Sequence, residues 1–242
     1  TPTPWMVYLL AFLLVGIWIA NVASGVHFYE PAPADLHAWG GNATSSVVLD
    51  GEAWRLVSSV FLHSGLKHLL LNLLALAVPG VFLCRWVGNA RFLLIYVLCG
   101  LVGSAWSLHF SSAHHISVGA SGAVIGVVGA IIGSSFRLRA RMPRNLVATM
   151  VAVVVVTLLE GLLDPQIDIA AHMGALLVGF GMGLVLIDRT GVAATRRRLV
   201  LEGCGLTVFA CLAVSLLAAT ADTKGAINMG GQVRCSGNQD CR

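Results

Sequence analysis

The segment VGASGAVIGVVGAIIG, from Val118 to Gly133, places a serine among small residues at the start of an uncharged run. Four glycines follow Ser121 at nearly helical spacing: Gly122, Gly126, Gly129 and Gly133. They share one helix face, and a face without side chains lets a second membrane helix approach closely. The segment therefore predicts a tightly packed membrane helix that carries Ser121 at its beginning.

The composition places the chain in a membrane. Hydrophobic residues make up 57% of the sequence and charged residues only 11%, whereas a soluble domain is about 25% charged. So few charges cannot cover the surface of a soluble protein. The net charge of +4 does not indicate nucleic-acid binding, because most Arg residues lie in short loops between apolar runs. We therefore predict an all-α polytopic membrane protein.

Seven apolar runs are long enough to cross about 30 Å of hydrocarbon at about 1.5 Å per residue. They lie at roughly residues 5–26, 62–84, 92–110, 116–136, 145–163, 169–187 and 199–220. We predict a six-helix core over 1–190, a cytoplasmic loop with a seventh transmembrane helix over 191–220, and a short polar tail over 221–242. Cys235 and Cys241 lie in this tail, and whether they form a disulfide stays open.

Arginines mark one side of the predicted membrane domain. They concentrate in the loops after spans 2, 4 and 6, including RLRARMPR at 137–144. Cytoplasmic loops carry an excess of Lys and Arg, so we predict a cytoplasmic N-terminus and an outside C-terminus. The segment 27–61 then lies outside, with Trp54 and Arg55 in a functional loop or an interfacial aromatic belt.

Because the sequence starts without Met, we expect a short leading segment to precede Thr1.

Polar side chains within the spans are costly in lipid and are candidates for function. In span 2, His68 and Asn72 are four residues apart and share one helix face, with His63 nearer the outer end. The alternative explanation for such residues is hydrogen bonding between helices. Spacing alone does not decide between the two.

Span 6 carries His172 about one turn below its outer end. A stripe of small residues runs beside it: Ala171, Ala175, Gly179 and Gly183. If this stripe packs against the glycines that follow Ser121, the hydroxyl and the imidazole form a nucleophile–base pair. Taken singly, Ser121 is better explained as a packing residue, and His172 equally well as a structural one, but their joint placement favours the pair. Asp168 is either a third member or a helix cap, and we favour a Ser–His dyad.

Four sequence pieces resemble the rhomboid family of intramembrane serine proteases. They are WR at 54–55, HSGLKHLLLN at 63–72, GASG at 119–122 and AHMGALLVG at 171–179, in the order of the family and in the corresponding spans. The resemblance covers about residues 5–190. It implies a six-helix rhomboid-like core, and the seventh span resembles the variant with one helix added at the C-terminus.

The resemblance also implies the role of each candidate residue. Ser121 is the nucleophile and His172 the general base, while His68 and Asn72 donate hydrogen bonds to the oxyanion. A further set is structural: His63, Trp54 and Arg55 shape the outer loop, and Gly119 and Gly122 flank the nucleophile. No metal or cofactor is implied.

The prediction is an intramembrane serine endopeptidase whose partners are transmembrane protein substrates and the lipid bilayer, in a bacterial plasma membrane. One alternative is a catalytically inactive rhomboid-like protein that binds membrane clients. Another is a transporter, in which buried histidines would carry protons. A transporter predicts polar residues at all depths, whereas here they cluster toward the outer side.

Overall fold

The computed structural model of the protein describes residues 3–111, 115–138, 142–164 and 166–186. Within these ranges the chain is mostly helical and strongly apolar, which confirms the prediction of a helical membrane protein. The predicted loop and seventh helix over 191–220, and the tail over 221–242 with its two cysteines, lie outside the described residues.

Six long helices account for most of the described chain. They are α1 (Trp5–Ala23), α5 (Leu66–Val87), α6 (Asn89–Phe110), α7 (Ser121–Leu138), α8 (Arg144–Leu163) and α9 (Ile169–Leu186). Shorter elements are α2 (Pro33–Ala38), α3 (Thr44–Val48), α4 (Arg55–Ser58), a 3-10 turn (Ser59–Phe61) and the strands β1 (Asn42–Ala43) and β2 (Ile116–Ser117). Most of the short elements lie in the α1–α5 loop, residues 24–65.

Two glycines explain where α5 begins and ends. Gly65 precedes the helix with φ +100° and Gly88 follows it with φ +90°, conformations that side chains other than glycine rarely adopt. A side chain at Gly65 would also overlap the carbonyl group of Tyr29. The second span therefore begins at Leu66 and not at residue 62, and His63 lies in the loop before the helix.

The fourth span also begins later than hydropathy predicts. Ile116 and Ser117 form β2, which pairs antiparallel with Ala43 and Asn42 of β1. A turn at Gly119, with φ +128°, then leads into α7 at Ser121. The boundary was misplaced because a short apolar run has the same hydropathy in a strand as in a helix.

The long helices differ in how they meet their surroundings. Helices α1, α5, α6 and α8 are long and apolar enough to cross a membrane, with mean hydropathies from 1.7 to 2.5. Helices α7 and α9 are shorter and apolar. The first three turns of α7 are almost completely buried at the centre of the bundle, whereas α8 buries only 11% of its apolar window. An apolar surface of this kind suits contact with lipid.

The glycine faces of α7 and α9 lie directly against each other. A Cβ atom added at Gly129 would come within 2.6 Å of the Leu176 carbonyl oxygen, and one at Gly179 would overlap the backbone of Gly126. Gly183 is equally close to the backbone of Ala130. The close packing predicted from the two small-residue stripes is therefore confirmed, and it brings together the beginnings of α7 and α9.

Candidate active site

The contact between α7 and α9 places Ser121 beside His172. The Ser121 Oγ atom lies 2.8 Å from His172 Nε2, a hydrogen-bond distance. Ser121 is the first residue of α7 and is partly exposed, whereas His172, in the first turn of α9, is 4% exposed. A hydroxyl bonded to a neutral imidazole nitrogen has the geometry of a nucleophile with its general base.

Asp168 caps α9 and does not bond to the imidazole of His172. Its Oδ1 accepts a hydrogen bond from the Ala171 N–H at 2.9 Å, which is the usual interaction of a cap with the third residue of a helix. Nδ1 of His172 is buried and has no hydrogen-bond partner among the described residues. The geometry is thus that of a Ser121–His172 pair. Of the two roles that the sequence allowed for Asp168, third member or helix cap, the contacts fit the cap.

The orientation of His68 is set by Ser64, one turn earlier. Nδ1 of His68 accepts a hydrogen bond from the Ser64 backbone N–H at 3.3 Å and lies 2.8 Å from its hydroxyl. A ring nitrogen that accepts from an N–H carries no proton, so the neutral ring carries its proton on Nε2. Nε2 lies beside Gly119, two residues before Ser121, because a Cβ atom at Gly119 would be 2.8 Å from it. His68 therefore presents an N–H donor close to the segment that carries Ser121.

Asn72 lies one turn below His68 on the same face of α5 and is 4% exposed. One hydrogen of its side-chain amide is donated to the His68 carbonyl oxygen at 2.9 Å. The amide has a second N–H, which leaves a donor for another acceptor. The structure therefore keeps Asn72 on the same face of α5 as His68, as predicted from their four-residue spacing.

Backbone N–H groups supply further donors. The first turn of any α-helix has N–H groups without intrahelical partners, and α7 begins at Ser121 itself. The preceding turn is anchored separately, because the Gly119 N–H donates to the Ser59 carbonyl oxygen at 2.9 Å. The N–H of Ser121 thus lies at a helix N-terminus, where partial positive charge favours a developing anion.

The two glycines of the GASG segment differ in their surroundings. Gly119 combines a positive φ with a tight fit, since an added Cβ would lie 2.7 Å from the His68 Cε1 atom. A Cβ at Gly122 would meet only the Ala171 carbonyl oxygen at 3.8 Å, an ordinary contact. The local geometry therefore requires glycine at position 119 but not at position 122, although the sequence analysis gave both glycines the same structural role.

His63 packs against the ring of His68, with ring centroids 5.2 Å apart in an edge-to-face arrangement. It lies outside the helices and is 2% exposed. Burial, and then the neighbouring His68, lower the pKa of His63 to about 3, so the ring is neutral at physiological pH. A neutral ring in this position supports the orientation of His68, which fits a structural role.

Trp54 and Arg55 hold the α1–α5 loop together. The Arg55 guanidinium is 5% exposed and donates hydrogen bonds to Glu52 at 2.5 Å and to the carbonyl oxygens of His37 at 2.6 Å and Gly41 at 3.1 Å. It also lies 4.7 Å from the centre of the Trp54 ring, as in a cation–π contact. All of these contacts join residues of the α1–α5 loop to one another and none involves Ser121 or His172. They fit the role implied for Trp54 and Arg55, which is to brace this loop.

The sequence did not indicate how the α1–α5 loop reaches the segment before Ser121. Asn42 of β1 pairs with Ser117 of β2, and its side chain donates to the Ser104 carbonyl oxygen of α6 at 2.9 Å. A two-residue strand leaves no periodic signal, so hydropathy and spacing did not point to Asn42. The one available signal was that Asn and Ser recur in an otherwise apolar chain.

The site has the parts for acyl transfer by a serine. Across residues 3–111, 115–138, 142–164 and 166–186, no group of three His, Cys, Asp or Glu side chains could hold a metal. The parts present are a hydroxyl, an imidazole at hydrogen-bond distance, and N–H donors from a helix N-terminus and from α5. This set matches the requirements of covalent catalysis by a serine.

Comparisons with known proteins agree with the motifs. The sequence profile of the family described as "Rhomboid domain" matches residues 50–189. RHOMBOID-like protein 4 of Arabidopsis thaliana is 38% identical over 162 residues, which are 66% of this chain and 40% of that protein. RHOMBOID-like protein 6, mitochondrial, of the same plant is 35% identical over 66% of this chain and 52% of its own length.

A bacterial relative carries an enzyme name. Rhomboid protease GluP of Bacillus subtilis (strain 168) is 36% identical over 140 residues, which are 58% of this chain and 27% of that protein. The chain therefore matches about half or less of the length of each of these relatives. All the residues of the candidate site, from Trp54 to His172, fall within the matched 50–189. The chain belongs to the rhomboid family.

Proposed function

We propose that this protein is an intramembrane serine endopeptidase that cleaves transmembrane segments of other membrane proteins with Ser121 and His172 as a dyad. The observation that carries the proposal is the 2.8 Å contact between Ser121 Oγ and His172 Nε2. It occurs at the beginnings of two helices that pack backbone to backbone, so the pair is held by rigid elements. Family membership and the relatives named as proteases support the same reaction class.

In the proposed mechanism, Ser121 Oγ attacks the scissile carbonyl carbon and its proton passes to His172 Nε2. The oxyanion that forms accepts hydrogen bonds from the Ser121 N–H, His68 Nε2–H and the free N–H of Asn72. His172 then gives its proton to the leaving amine, and an acyl-enzyme remains on Ser121. A water molecule, activated by His172, hydrolyses the ester and restores both residues.

The proposed substrates are membrane helices that unwind near the cleavage site. A helix keeps each carbonyl group in its own hydrogen bonds, and an unpaired backbone group in lipid costs several kcal/mol. Attack by Ser121 therefore requires a segment that opens readily, where water can also reach it. The partners in this proposal are transmembrane protein substrates and the surrounding bilayer, and the reaction uses no cofactor.

We further propose a bacterial plasma membrane location with a cytoplasmic N-terminus, a six-helix core and a seventh helix that places the C-terminus outside. The Arg-rich loops after the second, fourth and sixth spans support this orientation. In it, Ser121 and His172 lie at the outer ends of their helices, and cleavage occurs toward the outer face. Accessibility labelling of single cysteines in the loops would test the orientation directly.

Labelling with a fluorophosphonate tests whether Ser121 is activated. The reagent reacts with a serine that has a general base beside it, so we expect covalent labelling of the purified wild-type protein in liposomes. Ser121→Ala should not be labelled, and heat-denatured wild-type protein serves as the control for nonspecific reaction. A folded wild-type protein that stays unlabelled and leaves transmembrane reporters intact would instead favour the client-binding alternative.

The oxyanion donors predict a change in turnover more than in binding. We expect His68→Ala and Asn72→Ala each to lower kcat on a transmembrane reporter, because each removes one donor aimed at charge that develops in the transition state. The loss of one such donor in other enzymes costs about 2.7–4 kcal/mol, which is roughly a hundredfold to a thousandfold in rate. The measurement is kcat and KM for each variant in liposomes. A rise in KM with unchanged kcat would assign the side chain to substrate binding.

A further inference from the structure

A buried carboxylate outside the Ser–His pair links two parts of the bundle. The side chain of Asp168 is 8% exposed and accepts hydrogen bonds from the hydroxyls of Ser107 in α6 and of Ser111, the residue that follows α6. It also caps α9 through the Ala171 N–H at 2.9 Å. The Asp168 carbonyl oxygen accepts the His172 N–H at 3.2 Å, so the histidine is one helical turn away. Asp168 thus ties the beginning of the His172 helix to α6.

The same face of α6 also holds the segment before Ser121. The α6 serine face consists of Ser104 and Ser107 of α6 and the C-cap residue Ser111, which are three and four residues apart. The Ser104 carbonyl oxygen accepts from Asn42, whose strand pairs with Ser117, four residues before the nucleophile. The α6 serine face therefore contacts both the segment that precedes Ser121 and the first turn of the helix that carries His172.

The packing of α7 on α9 explains why such anchors are needed. The interface is formed by Gly126, Gly129, Gly179 and Gly183 against backbone atoms of the opposite helix. Close backbone contact fixes the distance between the helices, whereas a glycine face, which has no side chains of its own, does little to fix their position along the helix axes. A slide of about 1 Å would break the Ser–His hydrogen bond, and misplacement on that scale can cost about a hundredfold in rate.

The polar partners around Asp168 call for an ionised side chain. Its neighbours are donors: the hydroxyls of Ser107, Ser111 and Ser117 and the Ala171 N–H, with His115 Nε2 at 3.9 Å from Oδ2. Burial by itself raises the pKa of the Asp168 carboxyl, but hydrogen bonds from Ser107, Ser117 and Ala171, together with His115, lower it overall. A carboxylate can accept all of these bonds, whereas an amide offers one acceptor oxygen.

We propose that Asp168 is a positioning residue that holds His172 in register with Ser121 by joining the first turn of α9 to the α6 serine face. The inference rests on the proposed proteolytic function, because it assigns a role in that reaction. Asp168 contacts no reacting atom. It acts through the placement of His172, and through α6 on the segment that carries Ser121.

The test compares Asp168→Ala and Asp168→Asn with the control Asp164→Asn in liposomes. Asp164 is a nearby exposed carboxylate whose side chain, among the described residues, bonds only the Gln166 N–H, so its variant should match wild type. We expect Asp168→Ala to lower kcat at least about tenfold with KM changed less than about twofold. The rate of fluorophosphonate labelling should fall by a similar factor. Asp168→Asn keeps an acceptor for Ala171 and should recover part of the lost kcat.

A second readout is the energetic coupling between Ser107 and Asp168, the two side chains that join α6 to α9. Ser107→Ala breaks the same connection from α6, so Ser107→Ala and Asp168→Ala together should lose little more activity than Asp168→Ala alone. If Asp168→Ala does not fold, Asp168→Asn and Ser107→Ala carry the test by the same criteria. Thermal unfolding of each variant reports stability separately from kcat.

Three results would overturn the inference: kcat of Asp168→Ala within about twofold of wild type, a change confined to KM, or fully additive losses in the double variant. Each would be seen beside a wild-type protein that cleaves and reacts with fluorophosphonate, so the proposed function would stand. A wild-type protein that does neither would overturn the proposed function and the inference with it.

Discussion

Ser121→Ala and His172→Ala are each expected to abolish cleavage of a transmembrane reporter while the protein stays folded and inserted. Ser121 Oγ would form the bond to the substrate, and His172 Nε2, 2.8 Å away, is the base that removes its proton. In a soluble serine protease, removal of either partner lowers kcat by about a millionfold. Because the two residues act as one unit, the double variant should be no less active than either single variant.

The measurement is the cleaved fraction of the reporter over a long incubation in liposomes, with thermal unfolding and protease protection as controls for folding and insertion. Neither substitution should disturb the fold much. Ser121 is partly exposed at the start of α7, and His172 Nδ1 makes no hydrogen bond that would be lost among the described residues. Cleavage by purified Ser121→Ala at a rate near that of wild type would reject the assignment of the nucleophile.

Gly119→Ala is expected to lower kcat at least about a hundredfold, the scale of loss that about 1 Å of misplacement produces. The new methyl group would meet the His68 ring at 2.7–2.8 Å, and the backbone would have to hold φ +128° with a side chain. Backbone strain of this kind costs on the order of 1–3 kcal/mol. The turn would relax by moving away from His68, which displaces Ser121 from both the oxyanion donors and His172.

Gly122→Ala is the matched control within the same four-residue motif. Its methyl group would lie 3.8 Å from the Ala171 carbonyl oxygen, an ordinary van der Waals contact. The position is within α7, where Ala is favoured over Gly by about 1 kcal/mol. Activity should stay within a few fold of wild type. Equal and severe losses in both variants would show that the motif responds to any added side chain, and that the contact of Gly119 with His68 is not the cause.

Some features of the fold were available from the residues themselves. Apolar runs with few charges predict membrane helices because lipid cannot satisfy exposed backbone groups. The small-residue stripes of α7 and α9 predicted their close packing, since helical spacing puts Gly126 and Gly129 on one face. The same periodicity put His68 and Asn72 together on α5. These predictions depend on interactions within one helix or between regular faces, which sequence spacing describes directly.

Other features depend on contacts between residues far apart in the chain. The α1–α5 loop folds around the buried Arg55, and Asn42 of this loop reaches α6 and β2 over more than 60 residues of sequence. The start of α7 at Ser121 depends on the β1–β2 pairing and on the turn at Gly119. None of these contacts leaves a periodic pattern, so the predicted spans 2 and 4 began a few residues too early.

The sequence by itself determined that this protein is a helical membrane protein of the rhomboid type, with Ser121 and His172 on helices able to pack closely. Only the tertiary structure decided that these two side chains meet at 2.8 Å, that Ser64 turns the His68 proton toward Gly119, and that Asp168 caps α9 and bonds the α6 serine face. The physical reason is the range of the interactions. Hydropathy and helical spacing are local properties of a chain, whereas a hydrogen bond depends on atomic positions to within a few tenths of an ångström, which all the packed helices set together.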